Sequence, residues 1–270
     1  MIRASNRAKH HLIGSAIAVF KARYPIWLGL VFLPAASLGA LIAQLQWPAI
    51  LDWWSTPTHG RQTPELFEQA DADGRSHARF FCWAYLPDDN VTGRNKSWPL
   101  LFFLRGSGER GHNLSPVTRH GRPALVNKSR QFPMIIISPQ CPAGIDWQAD
   151  SLSILIESVM QKFRIHADQI CVTGYCMGGY GAYELVAAHP DPFAAIVPVA
   201  DSGDPKNSNR LKSVSVWAFH DGLDTAVPLA NSWSMVDSAR MAGASAEFTI
   251  FPDKDHAICH AEYGHPDLYR

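Results

Sequence analysis

The sequence has no surplus of charge of either sign. Its 270 residues carry 24 Lys and Arg against 24 Asp and Glu, so it lacks the overall basic footprint of a nucleic-acid binder, and no nucleic-acid partner is expected. It also lacks internal repeats and low-complexity tracts, and its 47% hydrophobic content suffices for one globular core plus an appendage. Acidic residues are missing from the N-terminal stretch: Arg3, Arg7, Lys9, Lys21 and Arg23 all precede the first acid, Asp52. Charge of any kind is then absent from Ile26–Leu45, "IWLGLVFLPAASLGALIAQL". Cysteine is scarce and odd in number: Cys82, Cys141, Cys171, Cys176 and Cys259. In an exported domain that leaves one thiol unpaired, and the four outside position 176 could pair in several ways or not at all.

The uncharged run has the ~20 residues a helix needs to cross a ~30 Å hydrocarbon core. Pro34 is tolerable in such a helix, and Trp27 and Trp47 sit where interfacial aromatics belong. The expected organisation is a basic cytoplasmic N-terminus over 1–25, a transmembrane anchor or signal segment over 26–45, a Pro- and Trp-rich linker over 46–71 and one catalytic domain over 72–270. The basic flank keeps the N-terminus cytoplasmic and places the domain outside, periplasmic or extracellular. Cleavage as a signal peptide near "AAS" or "SLG" is the alternative and would make the protein secreted, but the basic region is long for one.

Within the domain, "RFFCWAYL" (79–86), "PLLFFL" (99–104), "PMIIIS" (133–138), "QICVT" (169–173), "AAIVPVA" (194–200), "SVSVWAF" (213–219) and "AEFTIF" (246–251) are short apolar runs bounded by turn residues, each a candidate buried strand. Helical spacing links Leu152, Leu155, Ile156, Val159 and Phe163, then Met177, Tyr180, Tyr183, Glu184 and Ala187, and later Trp233, Val236 and Met241. Strands alternating with helices predict an α/β fold with a mainly parallel sheet covered on both faces. Ligands of such sheets bind beyond the carboxyl ends of the strands.

Three motifs fall at those ends. "GYCMGG" (174–179) follows one run, "HDGLD" (220–224) another, and "DKDH" (253–256) the last. The order nucleophile, acid, histidine is that of α/β-hydrolases, and Gly-x-Cys-x-Gly between a strand and a helix is a nucleophile elbow. Cys176 is thus the expected nucleophile, His256 the base and Asp224 its orienting acid, with Asp221 as the fallback acid. The oxyanion site needs two backbone N–H donors: Met177 supplies one, and Ser107 or Gly106 in "RGSG" (105–108) the other. A free thiol titrates near ~8.5, and an elbow at a helix N-terminus beside a histidine is expected to lower that further. An inert core cysteine is the bland alternative. His256, His260 and His265 lack a matching metal-ligand pattern, so no metal is expected.

The stretches "LLFFLRGSGERG", "ISPQCP", "VTGYCMGGYGAYELVAAHPDPFAAIVPVADSGD", "VWAFHDGLDTAVPL" and "HAICHAEYGHPDLY" resemble carboxylesterase-type α/β-hydrolases related to polyhydroxybutyrate depolymerases and feruloyl esterases, over about residues 72–270. The resemblance carries the triad to Cys176, Asp224 and His256. It implies hydrolysis of carboxylic esters, thioesters or lactones through a Cys acyl-enzyme, with no cofactor, on a small-molecule or polymer-end ester. The chain departs from that family twice. Cys176 replaces its serine, as in dienelactone hydrolases, and Arg105-Gly106 replaces its His-Gly oxyanion motif. Arg105 opens a basic run that continues through Arg110, Arg119, Arg122, Lys128 and Arg130, and it is the candidate to bind a substrate carboxylate; contact with an anionic membrane is the other use of that run. Only a short segment separates the run ending at Ala200 from that starting at Ser213, so the lid should be small or absent. A catalytically silent hydrolase fold, tethered to the membrane as a binding module, is the alternative function.

Overall fold

The computed structural model describes residues 61–70, 77–87, 96–114, 123, 124, 126, 132–256 and 263. The chain divides into two units, Met1–Ala49 and Ile50–Arg270, and all the described residues belong to the second. The segment 26–45 read as a membrane span lies outside them. Among the described residues no helix is long and apolar enough to cross a membrane.

Eight strands form one sheet: β1 (Gln62–Ala70), β2 (His77–Tyr85), β3 (Trp98–Leu104), β4 (Ile135–Pro139), β5 (Ile165–Tyr175), β6 (Phe193–Val199), β7 (Ser215–Asp221) and β8 (Ala246–Phe251). They lie in the order β1-β2-β4-β3-β5-β6-β7-β8. β2 pairs antiparallel with β1 and with β4, and every pairing from β4 onward is parallel. Three helices follow strands: α1 (Ala149–Lys162), α2 (Met177–Ala188) and α3 (Leu229–Met241). The predicted α/β architecture is therefore present, with all seven predicted strands at or close to their expected positions.

The central strands read as unbroken apolar runs because both their faces are covered. Along β3, Leu100, Phe102 and Leu104 enter the large core with Leu155, Val159, Leu185 and Met235 of the three helices. Leu101 and Phe103 point the other way, toward two smaller cores that include helical Val126 and Tyr263. Burying each such side chain contributes about 1.5–3 kcal/mol.

Two features differ from the sequence reading. β1 lies within the segment read as linker over 46–71, so the domain's first strand precedes residue 72. Pro64 and two glutamates hide it from an apolar count, yet Pro is tolerated on an edge strand, and buried Glu65 is matched by Lys162 Nζ of α1 at 2.5 Å. On α3, Ser232, Met235, Val236 and Ala239 face inward, whereas Trp233 and Met241 are exposed. Trp233 instead packs edge-on against Phe248 of β8. Between β6 and β7 there is only a 3-10 helix, Pro205–Leu211, packed against α2 and α3, in keeping with the small lid expected.

Candidate active site

The turn from β5 to α2 is made at a single residue of positive φ. Cys176 sits at φ 54°, ψ −119°, a conformation that L side chains rarely adopt. It is held by its N–H donating to Val199 O at 2.9 Å and by its carbonyl accepting from Gly179 N at 2.9 Å. The two flanking glycines are obligatory. A Cβ on Gly174 would lie 2.0 Å from Gly178 O, and one on Gly178 would lie 2.2 Å from Leu104 O. The absence of side chains there lets the start of α2 press onto the end of β3. Residues 105–109 are thereby brought beside the elbow: a Cβ on Gly106 would touch the Tyr175 ring at 3.5 Å.

Met177 N–H is directed at the Cys176 sulfur. Gly106 is buried next to Tyr175, while exposed Ser107 begins a 3-10 turn, Ser107–Glu109. The loop is fixed from below by the Trp147 indole N–H, which donates to Arg105 O at 3.0 Å. The Arg105 side chain is only 2% exposed, with Nη1 3.7 Å from Glu109 Oε2. Any substrate carboxylate must therefore compete with Glu109 for that guanidinium. Trp147 also lines a cavity of about 240 Å³ together with Phe80, Cys141 and Ile145; none of the three predicted catalytic residues lines it.

Asp224, three residues beyond β7, meets His256, which follows β8. His256 Nδ1 is 2.7 Å from Asp224 Oδ2, while Asp224 Oδ1 accepts the backbone N–H groups of Ala226 and Val227 at 2.8 Å each. With Nδ1–H donating to the carboxylate, Nε2 remains as the basic nitrogen of the ring. Tyr175 buttresses the histidine: its ring lies 5.1 Å from the imidazole, and its hydroxyl donates to the His256 carbonyl. Asp221, the fallback acid, is fully buried at the end of β7; the acid bonded to His256 is Asp224.

The expected depression of the Cys176 pKa is not found. Burial pushes the thiol up, and the charges of Asp224, Asp201 and Glu109 push in the same direction, outweighing the Met177 N–H that favours the thiolate. A helix terminus counts for little here against desolvation and three carboxylates. Cys82, Cys141, Cys171 and Cys176 are all free thiols; Cys259, like His260 and His265, lies outside the described residues.

Sequence reasoning missed a polar cluster behind the acid. His220, Asp201 and Ser232 are completely buried and linked to one another. The signal was present in part, because Asp201 follows the fifth apolar run and His220 the sixth, at carboxyl ends where charge is otherwise unexpected.

Residues 147–265 match the model of the dienelactone hydrolase family. Over 102 residues the chain is 32% identical to a protein of Methylorubrum extorquens named "Putative carboxymethylenebutenolidase", covering 34% of each. The chain spans between 34 and 39% of the length of the curated relatives it matches. Among solved structures it is similar to a thermostable esterase, with 26% identity and a TM-score of 0.57 over 71% of this chain and 55% of that one. It is also similar to the feruloyl esterase module from Clostridium thermocellum, with 14% identity and a TM-score of 0.57 over 78% of this chain and 89% of that one. The strand order and these neighbours make the fold α/β-hydrolase-like.

Proposed function

We propose that this α/β-hydrolase-fold chain hydrolyses carboxylic esters, thioesters or lactones through a covalent intermediate on Cys176. The observation that carries the reading is the strained Cys176 elbow at the carboxyl end of β5, whose neighbour Tyr175 packs on the histidine of an Asp224–His256 pair bonded at 2.7 Å. Strain of this kind persists only where the surrounding structure over-determines it, and it clusters at reactive sites. The dienelactone hydrolase match over 147–265 supports the same class.

Because the resting thiol is neutral, the nucleophile is made during the reaction. His256 Nε2 removes the Sγ proton as sulfur attacks the carbonyl carbon. The backbone N–H groups of Met177 and of Gly106 or Ser107 receive the developing oxyanion. As the intermediate collapses, the C–O or C–S bond to the leaving group breaks and the imidazolium protonates that group. Water, deprotonated by the same imidazole, then attacks the thioester and releases the acid, and the proton returns to sulfur.

Thiolate is a good leaving group, so an intermediate bearing an ordinary alkoxide tends to expel sulfur and revert. Enol, aryl and thioester substrates, whose leaving groups compete with the thiolate, are favoured. The small lid leaves the site open to short acyl or aryl esters and polymer ends. Arg105 favours substrates with a carboxylate near the scissile bond, when that carboxylate displaces Glu109. The N-terminal segment 26–45 anchors the domain outside the cytoplasm.

The test is a panel of alkyl, aryl and enol esters, thioesters and lactones assayed on the full chain. Turnover should rank with leaving-group acidity. A protein inert to the whole panel and lacking a histidine-dependent reactive thiol would be the silent binding module instead.

A further inference from the structure

We propose that Asp201, Ser232 and His220 form a buried relay that holds one shared proton and sets the charge facing Asp224, which makes them positioning residues of the site. The proposal rests on the reading of Asp224 and His256 as the catalytic pair.

The relay is a continuous chain. Asp201 Oδ1 is 2.9 Å from Ser232 Oγ, Ser232 Oγ is 2.7 Å from His220 Nδ1, and His220 Nε2 is 3.4 Å from Asp224 Oδ2. It spans the end of β6, the first turn of α3 and the end of β7, so it is not a by-product of sequence neighbourhood. Ala200, immediately before Asp201, has φ 47° and is, with Cys176, one of two non-glycine residues of positive φ among the described residues. The Asp201 carboxyl is buried, with Oδ2 against Gly179 of α2 and no hydrogen-bond partner among the described residues.

The atoms present count the proton. His220 Nε2 faces two acceptors, Val227 O at 3.0 Å and Asp224 Oδ2, so it carries a hydrogen. Ser232 has one hydrogen and stands among Nδ1, Oδ1 and the Asp201 main-chain O, the last at 2.8 Å. Given to that carbonyl, the hydrogen would leave Nδ1 and Oδ1 both needing one of their own and the buried pair with a net positive charge, so the choice lies between Nδ1 and Oδ1. If the hydroxyl donates to Nδ1, then Oδ1 must itself be protonated, or a carboxylate would face an oxygen lone pair at 2.9 Å. If the hydroxyl donates to Oδ1, then Nδ1 must carry a hydrogen and His220 is an imidazolium. Both arrangements hold one proton between Asp201 and His220, and both leave the pair neutral. An ionised Asp201 with a neutral His220 leaves two acceptors in contact and a buried charge uncompensated.

The surroundings agree. No lysine or arginine ion-pairs with Asp201 among the described residues. The groups that face the relay are the Tyr183 hydroxyl from α2, Cys176 at the elbow, Asp224, and His256 beyond it. Burial pushes Asp201 up to about 7, against the Ser232 hydroxyl and its own backbone N–H, which favour the carboxylate. When the proton sits on Nδ1, a buried cation lies beside Asp224 and weakens that carboxylate's hold on protonated His256. When it sits on Asp201, that cation is gone.

The test uses the full-length protein with ¹⁵N-labelled histidine. In the parent, His220 should keep Nε2 protonated while Nδ1 resonates between its protonated and bare positions at neutral pH. In Asp201→Asn, Nδ1 should move to the bare position. The acid limb of Cys176 alkylation by iodoacetamide should move up by about half a pH unit, because His256 then keeps its proton more firmly. Ser232→Ala should produce the same limb, and the double variant should add nothing to either single change. Should one variant fail to fold, the other reads the same resonance and limb. A His220 Nδ1 signal indifferent to Asp201→Asn, or effects of the two variants that sum, would overturn the relay. Alkylation independent of His256 alongside the expected His220 signals would instead retain the relay and reject the hydrolytic reading.

Discussion

His256 Nδ1 lies 2.7 Å from Asp224 Oδ2, with the histidine side chain 23% exposed and the aspartate side chain fully buried. The acid is thus sealed and rigid while the base keeps an open edge. Asp224→Asn should leave the fold intact, since an amide oxygen can still accept the Ala226 and Val227 N–H groups, but it can present an N–H to Nδ1 and invert the tautomer. A loss in kcat on the order of 10³ or more is expected, measured with an aryl ester. A loss below tenfold would remove Asp224 from the triad.

The Glu109 carboxylate raises the Cys176 pKa and pairs with Arg105. Glu109→Gln should lower the thiol pKa and speed its alkylation at neutral pH, and should release Arg105 for a substrate carboxylate. Arg105→Ala should raise KM for carboxylate-bearing esters more than for neutral ones. Equal changes in both substrate classes would leave Arg105 with a structural role only.

Asp201 titrates far above its usual range, near 7 rather than 3.8. For an acid whose folded pKa is raised, the folded state binds the extra proton, so its stabilising contribution is complete below the unfolded value and is lost as pH rises toward the folded one. Asn has no such ionisation. Whatever the melting temperatures at pH 4, the difference between Asp201→Asn and the parent should shift in favour of Asn as pH rises from about 4 to about 7. A difference that stays flat across that window would contradict a buried, proton-holding Asp201.

Gly178 admits no side chain, because a Cβ there falls 2.2 Å from Leu104 O and 2.8 Å from Arg105 N. Both atoms are backbone and cannot swing aside, so Gly178→Ala must separate α2 from the end of β3. The expected outcome is a loss of stability of several kcal/mol or, in protein that still folds, loss of turnover through a widened oxyanion site. Denaturant unfolding and turnover measured together decide the point; parental values in both would refute the packing argument.

The central strands were legible because β3, β4, the second half of β5, β6 and β7 carry largely apolar, mostly buried runs. β1 was not, since an edge strand can hold Pro64 and satisfy Glu65 through Lys162, leaving no apolar signature. The Cys176 turn and the Asp224–His256 pair were legible for a different reason: an elbow needs glycine at fixed offsets, and strand order fixes where the acid and histidine follow. The side facing inward on α3 was misjudged because Ser232, a polar residue, is buried by its bonds to Asp201 and His220, while Trp233 covers the edge of β8 instead. Burial of the Cys176 thiol beside three carboxylates depends on packing across β3, β6 and β7, which no local pattern records.

A membrane anchor over 26–45 predicts that the full chain partitions with membranes and that alkaline phosphatase fused after Arg270 is active. A soluble full-length protein with an intact N-terminus would reject the anchor, and a mature N-terminus within the apolar segment would establish cleavage.

The claim with most at stake is that Cys176 is the nucleophile, and the most direct measurement is intact-mass analysis of the full chain quenched during turnover of an activated aryl ester, paired with rates for Cys176→Ala and Cys176→Ser. The account predicts one acyl group on the parent, mapped to Cys176, no acylation or turnover in Cys176→Ala, and measurable residual esterase activity in Cys176→Ser. Hydrolysis by Cys176→Ala at the parental rate, with no adduct on residue 176 in the parent, would contradict it.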